Sequence, residues 1–322
     1  MARSAQGNRD ERRRPARRLR PHRGAWLKTL SGEEIAWAAQ TACLLEASAE
    51  KPGNVSPAAS FADTSFVEFA ASAIALGPSF REAGSVPVGE TILRAVRDTR
   101  RFVRVNTNLG LVLLLAPLAR AAALARSGDT LRTTVGHVLR DLTVGDARAA
   151  YAAISLAGPG GLGTVAEHDV ADGAADITLR DAMALARERD AIAREYVTDY
   201  ALTFAVGYPA LRAALGEGYP VSDAIVHTFL SLLSAFPDTL IARKEGEMVA
   251  ARVARRAAEV LALGGPASAA GRAELVSLDR ELRDAAHRLN PGTTADLTAA
   301  SLFVCLAEGG MLDELPDLLR RW

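Results

Sequence analysis

Five short polar clusters interrupt an otherwise apolar, helix-patterned chain, and their residue types suit a negatively charged ligand. In the first, Glu46 and Glu50 lie one helical turn apart and run into Lys51-Pro52-Gly53-Asn54-Val55. Carboxylates can take a proton or hold a hard cation, and a lysine can neutralise phosphate; an ordinary helix C-terminus stopped by Pro-Gly reads the same way. The second, Arg104-Val105-Asn106-Thr107-Asn108-Leu109-Gly110, stands just ahead of the most apolar stretch. The free N–H groups of a helix start favour an anion there, with Arg101 and Arg104 adding charge, although Asn108 as a simple N-cap explains it too. Gly158-Pro159-Gly160-Gly161-Leu162-Gly163, followed by Glu167-His168-Asp169 and Asp172, offers backbone for phosphate and groups for metal or proton transfer. It matches neither a Walker loop nor a dinucleotide fingerprint, and a lid without catalytic groups fits it equally. Asp238-Thr239-Leu240-Ile241-Ala242-Arg243-Lys244 sets a carboxylate and two cations at helical spacing, with Asp238 as a plain cap the bland alternative. Asn290-Pro291-Gly292-Thr293-Thr294-Ala295-Asp296 is a tight turn opening a helix, with Thr293 or Thr294 as cap and Asp296 in the first turn.

Helices must position these clusters, because apolar residues recur at helical spacing almost throughout and alternating β-branched runs are nearly absent. The pattern predicts an all-α, single globular multi-helix domain. Helices are expected over 32–49, 66–77, 88–104, 109–126, 130–141, 144–156, 179–206, 222–236, 246–263, 269–289, 294–308 and 311–320. Ser31 with Glu34, Ser65 with Glu68 and Thr178 with Asp181 have capping-box spacing. No heptad run or fixed-period repeat points to a coiled coil or solenoid.

Composition narrows the function. The longest apolar run, 109–119, is far shorter than the roughly 20 residues a membrane span needs, and the N-terminus lacks the charged-then-apolar pattern of a secretory signal. Two cysteines, Cys43 and Cys305, give no disulfide framework. A cytoplasmic protein with no membrane partner is expected. Residues 1–24 carry nine arginines against Asp10 and Glu11, so they read as a disordered Arg-rich tail ahead of a helical nucleotide-binding catalytic domain over 25–322. Such a tail is more often a solvated end than a nucleic-acid arm, which argues against nucleic acid as a partner. Only three lysines accompany 35 arginines, and two of them, Lys51 and Lys244, fall inside the clusters; a compact ammonium is chosen there.

Taken together and in order, the clusters resemble the triphosphoribosyl-dephospho-CoA synthase family, helical enzymes that prepare the prosthetic group of citrate lyase and malonate decarboxylase. The family's Glu then Lys-Pro-Gly-x-Val is matched by Glu46 and Lys51 to Val55, and its Asn-Thr-x-x-Gly by Asn106 to Gly110. Its Asp-Thr element looks like Asp238-Thr239 with Arg243 and Gly246, and its Asn-Pro-Gly-x-Ser/Thr-Ala-Asp is matched by Asn290 to Asp296. The chain departs where the family commonly has His-Lys, here Asn108-Leu109, and Arg-Gly-Gly, here Arg243-Lys244-Glu245-Gly246. The resemblance implies transfer of the triphosphoribosyl group of ATP to 3′-dephospho-CoA, or a similar nucleotide, with release of adenine. It implies Glu46 and Asp296 as catalytic carboxylates and Glu46, Asp238 and Asp296 as ligands of Mg²⁺. Lys51, Asn54, Asn106, Thr107, Asn108, Asp238, Arg243, Lys244 and Asn290 would then hold the nucleotide. Another nucleotide or sugar-phosphate transfer on the same fold, or a non-catalytic helical interaction protein, stays open at this point, as does assembly into a homo-oligomer.

Overall fold

The computed structural model describes residues 29–126, 128–158, 176–284, 286–308, 312 and 314–322. The Arg-rich tail and nearly all of the Gly-rich segment, with Glu167, His168, Asp169 and Asp172, lie outside the described residues. Among the described residues the backbone is helical, and the sole β-type pairing is an isolated bridge between Ser56 and Ala59. The all-α expectation holds.

Three apolar helices form the centre: α1 (Gly32–Ser48), α5 (Leu109–Leu124) and α15 (Gly292–Ala307). They pack on one another, and α1 and α15 also pack on α11 (Val221–Ala235). Nearly every side of α5 and α15 is covered, so these helices are apolar all round rather than striped. The outer helices are amphipathic. They are α2 (Phe66–Ala75), α3 (Gly77–Arg81), α4 (Val88–Arg100), α6 (Leu131–Arg140), α7 (Val144–Ala157), α8 (Leu179–Ala186), α9 (Ala191–Val197), α10 (Tyr208–Gly216), α12 (Thr239–Glu245), α13 (Glu247–Ala262), α14 (Ala269–Leu282) and α16 (Leu315–Leu319). The capping boxes at Ser31 and Ser65 are both formed. Among the described residues no single helix is long and apolar enough to cross a membrane.

Pro117 lies inside α5 and cannot donate to the carbonyl of Leu113 four residues back. The Tyr196 hydroxyl donates to that carbonyl at 2.7 Å, and the Tyr200 hydroxyl to the Leu114 carbonyl at 2.7 Å. Both tyrosines are fully buried, so a helix defect in the core is repaired from the segment expected as one helix over 179–206.

That segment is broken. Asp190 caps α9 through Ile192 N at 2.8 Å, and Asp199 and Tyr200 adopt φ of 50° and 58°. The buried Glu195 carboxylate accepts from Leu202 N and Thr203 N, both at 2.9 Å, and from the Thr203 hydroxyl at 2.6 Å. A π-helical turn, Thr203–Gly207, then leads into α10. Hydrophobic spacing continued through these breaks because both halves bury the same face; the carboxylate caps, not the periodicity, set the stops. Helices α4 and α14 likewise end earlier than expected, at Arg100 and Leu282, and α3, α10 and α12 are additional.

Candidate active site

The starts of α5, α9, α12 and α15 converge on one place, and Asp238 holds two of them together. Its Oδ1 accepts from Leu240 N at 2.9 Å and Ile241 N at 3.0 Å, capping α12. Its Oδ2 accepts from Thr294 N at 2.7 Å and the Thr294 hydroxyl at 2.8 Å, inside the first turn of α15. Thr239 extends the junction, taking a bond from Ala191 N at 3.2 Å and donating to the Thr293 hydroxyl at 3.3 Å. The expected cap of α15, Thr293 or Thr294, is therefore replaced by a carboxylate 56 residues away in sequence.

Expected among the residues that hold metal and nucleotide, Asp238 has both carboxylate oxygens engaged by helix donors in this structure. The residue is 2% exposed, and its four hydrogen bonds use the acceptor sites of a carboxylate. It is a positioning residue. Asp238→Ala is expected to lower stability by about 3 kcal/mol, since two helix caps go and buried donors are orphaned; urea denaturation measures it. A change within about 0.5 kcal/mol would contradict the role.

Asp296 stands on α15 beside this junction, partly exposed, and no hydrogen bond or ion pair from the described residues reaches its carboxylate. Gly110 at the start of α5 makes its room: a Cβ there would lie 2.0 Å from Asp296 Oδ2 and 2.8 Å from the end of Ile192. Desolvation holds the Asp296 carboxyl well above the usual carboxylate range, reinforced by the charges of Glu46, Asp238 and Asp190 and opposed by Arg243. Arg243 is in turn paired with Asp190 at 2.9 Å. Asp190 is a site residue that the sequence reading missed, because it sits within a stretch of unbroken helical spacing.

Gly110→Ala is expected to reduce turnover by about a hundredfold by displacing Asp296, in line with the cost of a 1 Å misplacement. Steady-state kinetics on the folded variant test this, and wild-type turnover would show that Asp296 need not stand where it does.

Glu46 reaches the same place from the C-terminal turn of α1 and is 4% exposed. Lys51 Nζ pairs with Glu46 Oε1 at 3.0 Å and donates to the Ala49 carbonyl at 3.0 Å and to the Glu46 carbonyl. Burial raises the Glu46 carboxyl and Lys51 opposes the rise. The ammonium is 1% exposed and all three of its donors are taken, so Lys51 closes the end of α1 and steadies Glu46. Cys43, one turn before Glu46, is pushed up by burial and by the charges of Glu46 and Asp296.

The other expected residues divide. Asn54 Nδ2 donates to Asn290 Oδ1, joining the first and fifth clusters. Gly53, at φ 75°, lets this loop pass Leu282, whose Cβ would be 2.8 Å from an added Cβ. Asn106, not Asn108, caps α5 by accepting from Leu109 N at 3.1 Å. Thr107 and Asn108, expected to hold the nucleotide, are buried; the Thr107 hydroxyl bonds to the Ser72 hydroxyl and Asn108 Nδ2 donates to the Thr99 hydroxyl at 3.0 Å, which fixes the start of α5. Lys244 is exposed and donates to the His287 carbonyl at 3.3 Å. Among the described residues no three His, Cys, Asp or Glu side chains close around a metal-sized point. Two surface clefts, one lined by Arg132, Arg140 and Asp199 and one by Trp37, Ile74 and Leu315, lie away from this cluster.

Among the described residues the fold is all-helical, and several helix starts meet around a carboxylate, Asp296, with the charged side chains of Glu46, Asp238, Asp190 and Arg243 close by. The model of the ATP:dephospho-CoA triphosphoribosyl transferase family matches residues 32–314, and the chain belongs to that family. It is 28% identical to a Klebsiella pneumoniae 2-(5″-triphosphoribosyl)-3′-dephosphocoenzyme-A synthase over 84% of this chain and 94% of that one. A Pseudomonas fluorescens protein assigned the same activity is 28% identical over 74% of this chain and 78% of its own length. A crystal structure of an Archaeoglobus fulgidus protein, assigned as a triphosphoribosyl-dephospho-CoA synthase, superposes with a TM-score of 0.55 at 29% identity, covering 74% of this chain and 98% of that one.

Proposed function

We propose that this chain joins the triphosphoribosyl group of ATP to 3′-dephospho-CoA and releases adenine, with Asp296 as the proton acceptor. The observation that carries the role is the Asp296 carboxylate itself, which accepts no hydrogen bond from the described residues, stands beside Gly110 and Arg243, and is raised well above its ordinary range. A carboxylate raised in this way holds a proton more tightly than an exposed one, which suits it to take one from a hydroxyl. The acceptor's 2′-hydroxyl oxygen bonds to ribose C1′ as the bond from C1′ to the adenine nitrogen breaks; the hydroxyl proton goes to Asp296, and adenine leaves carrying the bonding pair and gains a proton. The sugar passes through an oxocarbenium-like state, which the negative charge of Glu46 and Asp190 stabilises.

Family membership and the ordered clusters support this reading, as does the placement of Arg243 beside the acidic group, where a triphosphate needs a cation. Mg²⁺ fits the donors present: a triphosphate-bound Mg²⁺ needs one or two protein carboxylates, and Glu46 Oε2, outside the Lys51 pair, would supply a hard oxygen. Bound there, the ion would neutralise phosphate charge. The catalytic unit is residues 25–322, with the Arg-rich tail outside it.

Mass spectrometry of dephospho-CoA after incubation with ATP, Mg²⁺ and the protein tests the reaction. The expected product carries one added triphosphoribosyl group. Unchanged dephospho-CoA, or gain of a phosphoryl group alone, overturns the proposal.

A further inference from the structure

Two loops meet beside the carboxylate cluster without belonging to any helix: residues 51–64, after the lysine, and 283–291, before α15. They are tied by Arg283 Nη2 donating to the Asn54 carbonyl at 2.9 Å and by the Asn54–Asn290 amide pair. Ala62 N adds a long contact to His287 Nε2 at 3.4 Å. At their outer end the Phe61 and His287 rings stack, centroids 3.8 Å apart and 19° from parallel. Both rings are only partly buried.

Two features of this junction point to a ligand. His287 has φ of 50°, a left-handed conformation that is uncommon outside glycine and that locates candidate functional sites. Asn54 is 6% exposed, yet its Oδ1 is buried with no donor, and such an orphaned acceptor calls for a partner. Whichever of the two amides donates to the other, the pair keeps one acceptor and one donor unused by it. An aromatic face with an amide donor and acceptor close by is the complement of a purine carrying an exocyclic amino group: the ring stacks, and the amides meet its amino and ring nitrogens. His287 and Asn290 are three residues apart, hence within about 10 Å along the chain, which is the scale of a purine. Lys244, bonded to the His287 carbonyl, adds a cation at the edge.

We propose that these loops form an adenine seat, in which Phe61 and His287 supply the stacking surface and Asn54 with Asn290 reads the amino edge. The inference rests on the proposed reaction for its substrates, both of which carry adenine, ATP and 3′-dephospho-CoA. It assigns Phe61 and His287, which none of the five clusters contains, to substrate binding.

The test measures KM for each substrate in Phe61→Leu, Phe61→Trp and Asn54→Ala, with AMP binding by calorimetry alongside. Phe61→Leu is expected to raise KM for one of the two nucleotides about tenfold or more, the usual scale of losing a base-stacking ring. Phe61→Trp should restore it, and Asn54→Ala should raise KM for the same nucleotide. The substrate whose KM moves identifies whose adenine is seated. Unchanged KM values for both nucleotides in a normally melting Phe61→Leu protein would overturn the seat, as would an equal rise in Phe61→Trp, which would make the ring mere packing. If the wild type releases no adenine but binds AMP at least tenfold tighter than Phe61→Leu, the seat stands and the reaction fails; equal AMP affinity in that case overturns the seat as well.

Discussion

Asp296→Asn is expected to lower turnover about a hundredfold or more while the protein melts at the same temperature or higher at neutral pH. The first effect follows from removing a positioned proton acceptor with little change of shape. The second follows from linkage. The Asp296 carboxyl lies well above 3.8 in the folded protein, chiefly through burial and next through the charges of Glu46, Asp238 and Asp190. Between the unfolded and folded values the folded state retains a proton that the unfolded chain has released. The contribution of this group to stability is therefore full below the unfolded value and is lost as pH rises through the folded value. Asparagine has no such loss, so the variant should gain on the wild type from about pH 4 upward. Thermal melts across pH 4 to 8, with turnover measured on the same samples, separate this from a helix-favouring residue. A residue that only favours the start of its helix would cost about 0.3 to 1 kcal/mol when neutralised and leave turnover intact.

Lys51→Met is expected to destabilise the protein by about 3 to 5 kcal/mol, because it leaves Glu46 buried and uncompensated and frees two carbonyls at the end of α1. The double variant Glu46→Gln with Lys51→Met should recover much of that loss without recovering turnover. Chemical denaturation of both single variants and the double gives the coupling. If the two losses simply add, the buried pair is not the unit described here. Lys51→Arg also fails to conserve the site, since a planar guanidinium does not fit three donors arranged for an ammonium.

The helical architecture was legible in the spacing of apolar residues, and the clusters were legible as breaks in it. Asp296 and Glu46 could be singled out because the ordered clusters that contain them resemble one family; the residues alone read equally well as a helix end and a helix start. What sequence could not give was the direction in which side chains point. Lys51 and Asp238 carry the right charge for a nucleotide site, but both are turned inward, one closing a helix end and the other tying α12 to α15. Gly110 was visible only as a motif letter; its meaning, space for Asp296, exists only once α5 and α15 are packed. Asp190 was hidden because α8 and α9 bury the same face, so helical spacing continues across its cap. The same long-range character explains Tyr196 and Tyr200, whose partners sit beside a proline 79 and 83 positions earlier in the chain.

Cleavage at ribose C1′ frees the nucleobase itself, which can be measured. Chromatography of a reaction containing ATP, 3′-dephospho-CoA and Mg²⁺ should show free adenine appearing in equal amount to the ATP consumed, with the triphosphate retained in the product, and no adenine from folded Asp296→Asn protein on the same timescale. ADP, AMP or pyrophosphate in place of adenine would contradict the account.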